Sequence, residues 1–207
     1  MAEIVRDDQL PRGAGSAAEV EAIPAASVIL LRDDPLEVLM IRRHANSSFV
    51  PDAWVFPGGG TEESDRADAL LNTMRNTGAR ELFEETGISL GEPLDFEKLV
   101  WTSRWITPVG VPKRFDTYFF IACTGRDTTT TLQESEAVDS IWISPADAVQ
   151  RHMSDDFPLV FPTLKNLEAI VGFPSAAELM DARRNADIPT TRPILVVEGG
   201  VKKIVLP

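Results

Sequence analysis

The sequence holds a single cysteine, Cys123, among 207 residues. An internal disulfide is therefore excluded, and a reducing compartment suits the chain. No staple is needed: a domain of this length buries roughly 70% of its unfolded surface. Cys123 ends the apolar run 118–122 and is expected to be a small buried hydrophobe. Histidine is almost as scarce, with only His44 and His152, both read as loop residues. Basic residues are outnumbered, 20 against 32 acidic ones, for a net charge of −12. That balance argues against wrapping a nucleic-acid backbone. It leaves room for a small anionic substrate, because bound cations reverse a local potential. No apolar stretch approaches the ~20 residues that span a bilayer. The first residues lack a basic segment followed by an apolar one, so no signal peptide is expected. The cytoplasm is the expected compartment, with no membrane partner.

No repeat or low-complexity stretch interrupts the chain. Residues 1–20 mix charge with Gly, Ala and Ser and read as a mobile leader; residues 21–207 read as one domain. Short apolar runs at 26–31 and 38–41 predict two strands joined by a turn, and 54–56 a third, stopped by the Pro-Gly-Gly-Gly of 57–60. A helical region is predicted over 64–86, with a kink or break at the poor helix formers of 75–78 and a C-cap at Gly87. Strands are predicted at 99–106, 115–123 and 138–143. Ser144, Pro145 and Asp147 have the parts of a helix start. Further helices are expected at 163–171 and from Ser175, then a hairpin over 194–206 turning at Glu198-Gly199-Gly200. Interleaved strands and helices place the chain in the α/β or α+β class with a mixed sheet.

Chemistry concentrates in the run 80–88, Arg-Glu-Leu-Phe-Glu-Glu-Thr-Gly-Ile. Helical neighbours lie three and four apart, so Glu81, Glu84 and Glu85 share one face, while Ala79, Leu82 and Phe83 are expected to face a core. Like charges so placed repel, and a hard divalent ion with a taste for carboxylate oxygens relieves the repulsion. The competing reading is an ordinary solvated acidic face. Two details weigh against it. The carboxylates sit at the helix C-terminal end, where the dipole disfavours them. They also follow a glycine-rich turn, which lets backbone approach a ligand.

The run 80–88 resembles the end of the Nudix box, R-E-U-x-E-E-x-G-U with U aliphatic, at every fixed position. The segment 54–59, Trp-Val-Phe-Pro-Gly-Gly, resembles its opening strand and turn. Counted from Gly59, Asp65 stands where the family has its first fixed Glu. Fourteen residues then separate Asp65 from Arg80, where the family has seven; the extra residues lie around 70–76. The role of Asp65 is left open by this departure. The resemblance implies a Nudix-type α/β/α sandwich and hydrolysis of a nucleoside diphosphate derivative. It implies Mg²⁺ or Mn²⁺ as cofactor, with Glu84 and Glu85 as ligands and Glu81 as a further ligand or the base. Arg80 then orients the carboxylates, and the Gly59 carbonyl joins the metal shell. Glu134 and Glu136 precede the strand at 138–143, and Glu136 is the candidate for one more ligand.

The long insert and the stretches 49–59, 113–120 and 162–167 are similar to a branch that includes an animal acyl-coenzyme A diphosphatase. Coenzyme A carries an extra ribose phosphate, for which Arg42, Arg43, Lys113 and Arg114 are the candidate cations. Phe115 is a candidate to contact the substrate beside them. Arg43 fits the first position of a pattern of two arginines and a glycine seen in several coenzyme A enzymes; Ser48 and Asp52 stand at the other two. Coenzyme A or an acyl ester is thus the leading expected substrate. ADP-ribose, a nucleotide sugar or a nucleoside triphosphate are alternatives, and a ligand sensor without turnover is the reading from another class. A homodimer is compatible with the sequence, which does not decide it.

Overall fold

In this computed structural model the described residues are 2–4, 14, 20–47, 50–133, 135–199 and 201–206. The centre is a mixed sheet. Its core strands are β2 (Ala22–Arg32) and β7 (Arg114–Cys123), which run parallel with Ala22 beside Arg114 and Leu31 beside Cys123. Val28, Ile29, Leu30 and Leu31 are all fully buried, on both faces of the sheet. A continuous apolar run is what a strand covered on two sides requires. β3 (Glu37–Arg43), β4 (Trp54–Val55) and β8 (Ala137–Ile143) extend one side, and β6 (Val100–Ile106) and β9 (Thr190–Thr191) the other.

The residues at 57–60 do not simply stop a strand. Gly58–Gly60 form β5, antiparallel to Ala25–Ser27 of β2. A β-carbon at Gly58 would lie 2.4 Å from the Ala26 carbonyl oxygen, so only glycine permits this approach.

Helix α1 (Leu70–Thr86) covers one face, with Met74 and Leu82 packed on Val28, Leu30 and Phe120. Helices α2 (Pro145–Met153), α3 (Phe161–Ile170) and α4 (Ala176–Arg184) cover the other, with Ala148, Leu164, Leu167 and Leu179 against Ile29, Leu31 and Ile121. The result is the expected α/β/α sandwich. The Ser144 hydroxyl accepts from the Asp147 N–H, and Ser175 does the same for Glu178, so both predicted helix starts are capped. The terminal hairpin forms as β10 (Ile194–Glu198) and β11 (Val201–Val205); Gly200 lies outside the described residues. Most of the expected leader also lies outside them. Its described strand, β1 (Ala2–Ile4), pairs with β11, which the reading of residues 1–20 as mobile did not anticipate.

Two further expectations are corrected. Phe83 is 56% exposed rather than core-facing. The helix does not break at 75–78 but runs on from Leu70 to Thr86, because tertiary contacts override weak local propensity there. The Thr77 hydroxyl, fully buried, donates to Asp65 Oδ2 (3.0 Å) and lies 3.2 Å from the Thr61 hydroxyl. Gly78 brings the helix onto β2, where a β-carbon would meet Val28 Cγ2 at 3.1 Å. The predicted helix end holds: Gly87 is left-handed with φ of 70°, and its N–H donates to the Phe83 carbonyl. Gly78→Leu is expected to overpack the contact with β2 and lower stability by about 1–3 kcal/mol. Urea unfolding checks this; an unchanged midpoint would show that the helix can move off the sheet freely.

Candidate active site

Glu81 and Glu85 leave α1 one turn apart, where the helix crosses β5. Glu136 approaches from the loop before β8. Carboxylate oxygens of these three residues all lie within 4.8 Å of one another. Glu85 is held by the Gly58 N–H, which donates to its Oε2 at 2.7 Å. Glu81 rests on Gly59, where a β-carbon would sit 2.6 Å from its Oε1. The glycine strand therefore serves two ends: it fits against β2, and it leaves room for carboxylates on its outer side.

Arg80 organises the surroundings. Its Nε and Nη2 donate to the two oxygens of Asp65 (2.9 and 3.0 Å). Its Nη1 donates to both Glu81 Oε1 (2.9 Å) and Glu84 Oε2 (2.8 Å), and Nη2 also reaches the Gly60 carbonyl (2.8 Å). The place of Asp65, open in the sequence, is thus beside Arg80. Burial works against the Asp65 carboxylate, but donors from Arg80, the Glu62 N–H and Thr77 outweigh it and hold its pKa below the ordinary value. Glu84 is exposed, at the solvent edge of the cluster.

Glu85 shows the opposite balance. Burial comes first, and the neighbouring charges of Glu81 and Glu136 add to it; the Gly58 N–H and Arg43 only partly compensate. Its pKa is pushed up to about 8. Glu81 is raised too, chiefly by burial, against the pull of Arg80. Converging carboxylates that resist ionisation are a donor set suited to a hard divalent ion. The residues present therefore fit such an ion, with Glu81, Glu85 and Glu136 as its holders.

These groups line one end of a cleft of about 630 Å³. Arg43, Lys113, Phe115, Gly59 and Ser135 also line it. The Lys113 ammonium sits 5.2 Å from the centre of the Phe115 ring. Arg42 and Arg114 are not brought to the lining. Arg42 pairs with Asp52 at 3.5 Å. Arg114 donates to the carbonyls of Thr107 (2.9 Å) and Val20 (2.7 Å). Ser48 and Glu134 lie outside the described residues. His44 is a loop residue whose Nδ1 accepts from the Asn46 N–H. Cys123 ends β7 exposed rather than buried, with its sulfur 3.2 Å from that of Met180; desolvation raises its pKa to about 11. Trp105 stands three strands across the sheet from Gly60, by way of Ala25 and Thr117, and Phe161 packs against it, so the side of the cleft away from the carboxylates is apolar. Trp105 belongs both to the core and to this lining.

The family model of the NUDIX domain matches residues 22–161. The chain belongs to the NUDIX family. A Caenorhabditis elegans protein provisionally named nudix hydrolase 7 is 28% identical over 69% of this chain and 58% of its own length. An acyl-coenzyme A diphosphatase of Xenopus laevis is 24% identical over 69% of this chain and 62% of its own. The chain thus spans about six tenths of the length of these two relatives. A crystal structure of a NUDIX hydrolase from Alicyclobacillus acidocaldarius superposes with a TM-score of 0.71 at 25% identity, covering 79% of this chain and 97% of that one. Among the described residues no helix is long and apolar enough to cross a membrane.

This geometry can be tested in two ways. Gly59→Ala should push the Glu81 carboxylate aside and weaken Mn²⁺ binding at least ~10-fold with the fold retained, as disturbing a shell does; titration followed by electron paramagnetic resonance reads it, and unchanged affinity would refute the contact. The second test concerns pH. A carboxyl with a raised folded pKa keeps its proton while the unfolded chain loses it, so metal-free stability should fall from about pH 4.5 to about 8 and level off above. Cation binding needs the ionised form, so its affinity should rise across the same window. Thermal melts with and without Mg²⁺ test both slopes, and Glu85→Gln should flatten them.

Proposed function

We propose that this protein is a divalent-metal-dependent pyrophosphohydrolase acting on a nucleoside diphosphate derivative, with coenzyme A or an acyl ester of it as the leading substrate. The observation that carries the reaction type is the meeting of Glu81, Glu85 and Glu136 within 4.8 Å beside the glycines that line the cleft. Glu84 belongs to the same set through Arg80 Nη1, which it shares with Glu81, and is proposed as a ligand from the solvent side. The Gly59 carbonyl is proposed to join the shell.

A bound Mg²⁺ or Mn²⁺ supplies charge neutralisation on the diphosphate and acidifies a water. The chain's own groups do the rest. Arg80 fixes Glu81 and Glu84 in direction through its Nη1. Glu81 is the candidate to take the proton of the attacking water, since it lies on the cleft and is less deeply buried than Glu85. Water adds to one phosphorus, the bridging P–O bond breaks, and the leaving phosphate keeps the bond pair. From coenzyme A the products are 3′,5′-ADP and 4′-phosphopantetheine.

The substrate assignment rests on the similarity to an acyl-coenzyme A diphosphatase and on the two lining cations. Arg43 and Lys113 take over the phosphate-reading role that the sequence spread over four residues. Phe115 lies beside Lys113 and is proposed to pack on the substrate. A cytoplasmic setting and small-molecule partners accord with this reading. Glu81→Gln and Glu85→Gln are each expected to lower kcat by at least ~100-fold with the fold intact. Product analysis over coenzyme A esters, ADP-ribose, nucleotide sugars and nucleoside triphosphates tests the class; no phosphomonoester release from any of them with Mg²⁺ would favour the sensor reading. Lys113→Ala should weaken coenzyme A more than its 3′-dephospho form, and equal losses would remove Lys113 from phosphate recognition.

A further inference from the structure

The apolar end of the cleft is not built by the matched NUDIX segment alone. That segment ends at residue 161. Pro193 and Ile204 lie beyond it, in and beside the terminal hairpin, yet both line the cleft with Trp105 and Phe161. Ile204 is 6% exposed and packs in the main core. It is anchored on both sides, because β11 is the middle strand between β1 and β10, with Glu3 and Leu195 as its direct neighbours. A side chain on a doubly paired strand is a fixed wall, not a passing loop contact.

The chemistry of that wall selects its ligand. Trp105 and Phe161 meet edge to face, with planes at 84° and centroids 5.8 Å apart. They therefore do not form two parallel plates that would hold a base. The Lys165 ammonium lies over the Phe161 ring at 5.4 Å, which takes up one of its faces. Pro193 brings no N–H to pair with a ring nitrogen, and Ile204 brings only hydrocarbon. Among these four side chains the Trp105 indole N–H is the one hydrogen-bonding group, so a flexible aliphatic chain fills their space better than a base, most of whose polar edge they would leave without partners.

From this we infer that the terminal hairpin is a specificity wall. Ile204 and Pro193, with Trp105 and Phe161, receive an aliphatic acyl chain carried on the substrate at the side of the cleft away from the carboxylates. The inference rests on the diphosphatase reading only for where the rest of the substrate lies, so it can be tested without phosphate.

The probes are pantetheine and its S-hexanoyl ester, neither of which carries a phosphate, measured against the full chain by ligand-observed NMR titration. The parent should bind the ester at least ~10-fold more tightly than pantetheine, since each buried methylene is worth about fourfold in affinity. Ile204→Ala should remove most of that gain, and Ile204→Val should remove about fourfold of it, as one methylene's worth. Both should leave pantetheine itself unchanged. The valine variant guards against a folding failure of the alanine one. Equal binding of the two ligands by the parent, or equal losses for both in the variants, overturns the wall. Turnover of coenzyme A with Mg²⁺ on the same preparations separates the two readings: an acyl gain without turnover sinks the diphosphatase reading alone, and turnover without an acyl gain sinks the wall alone.

Discussion

The two-pronged ion pair between Arg80 and Asp65 ties together three pieces of chain at the carboxylates, where the Thr77 bond to Asp65 and the Gly58 bond to Glu85 reinforce it. Asp65 ends a single 3-10 turn, Arg80 sits mid-helix, and the same guanidinium reaches the Gly60 carbonyl of β5. A buried pair is weak evidence of stability, because desolvation can exceed the attraction unless other hydrogen bonds complete it. Here they are present. Asp65 accepts from the Glu62 N–H and from Thr77, and Arg80 directs its remaining donors to Glu81 and Glu84. The pair's value is therefore geometric: it fixes the direction of two carboxylates that would otherwise turn to water.

Glu85 supplies the contrast on which the chemistry depends. It stands one turn from Glu81 and accepts the Gly58 N–H, and the Arg43 charge offsets its burial only in part. The same helix thus carries one carboxylate ion-paired with Arg80 and one compensated less fully. Were both paired with arginine, no attraction for a divalent ion would remain. Were neither paired, three like charges would push the helix end off the glycine strand. Partial compensation keeps the fold intact while leaving the oxygens available.

Much of this was legible from residue order. The spacing of Arg80, Glu81, Glu84 and Glu85 reports its geometry because helix periodicity is local. Gly87 announced the helix end for the same reason, needing only φ above zero. What was not legible depended on contacts distant in sequence. Nothing near Arg114 indicates that its guanidinium is committed to Val20 and Thr107 rather than to a ligand. The run 75–78 looked like a break because Thr and Gly lack helix propensity, whereas Thr77 is there for Asp65 and Gly78 for β2. Phe83 looked like core by hydrophobicity, yet the face it shares is turned outward. Each of these errors comes from reading a side chain's preference without knowing what lies opposite it.

The length of the insert makes sense in the same terms. The Nudix pattern places seven residues between its first acid and the arginine, and this chain has fourteen. Seven residues added within a helix amount to nearly two turns and would shift its phase by only about 20°. Asp65, however, lies in the 3-10 turn before α1, and residues 66–69 between them are not helical. Helix phase alone therefore does not bring Asp65 to Arg80; side-chain bonds from α1 do. The Asn76 amide donates to the Asp65 carbonyl and the Thr77 hydroxyl to its carboxylate, one turn before Arg80. The end of the helix that carries the glutamates is pinned independently, by Gly78 against β2 and by Gly87 at the cap. The relative placing of Arg80, Glu81, Glu84 and Glu85 is thus indifferent to what precedes it, and only the Asp65 contact has to be rebuilt across the longer connection.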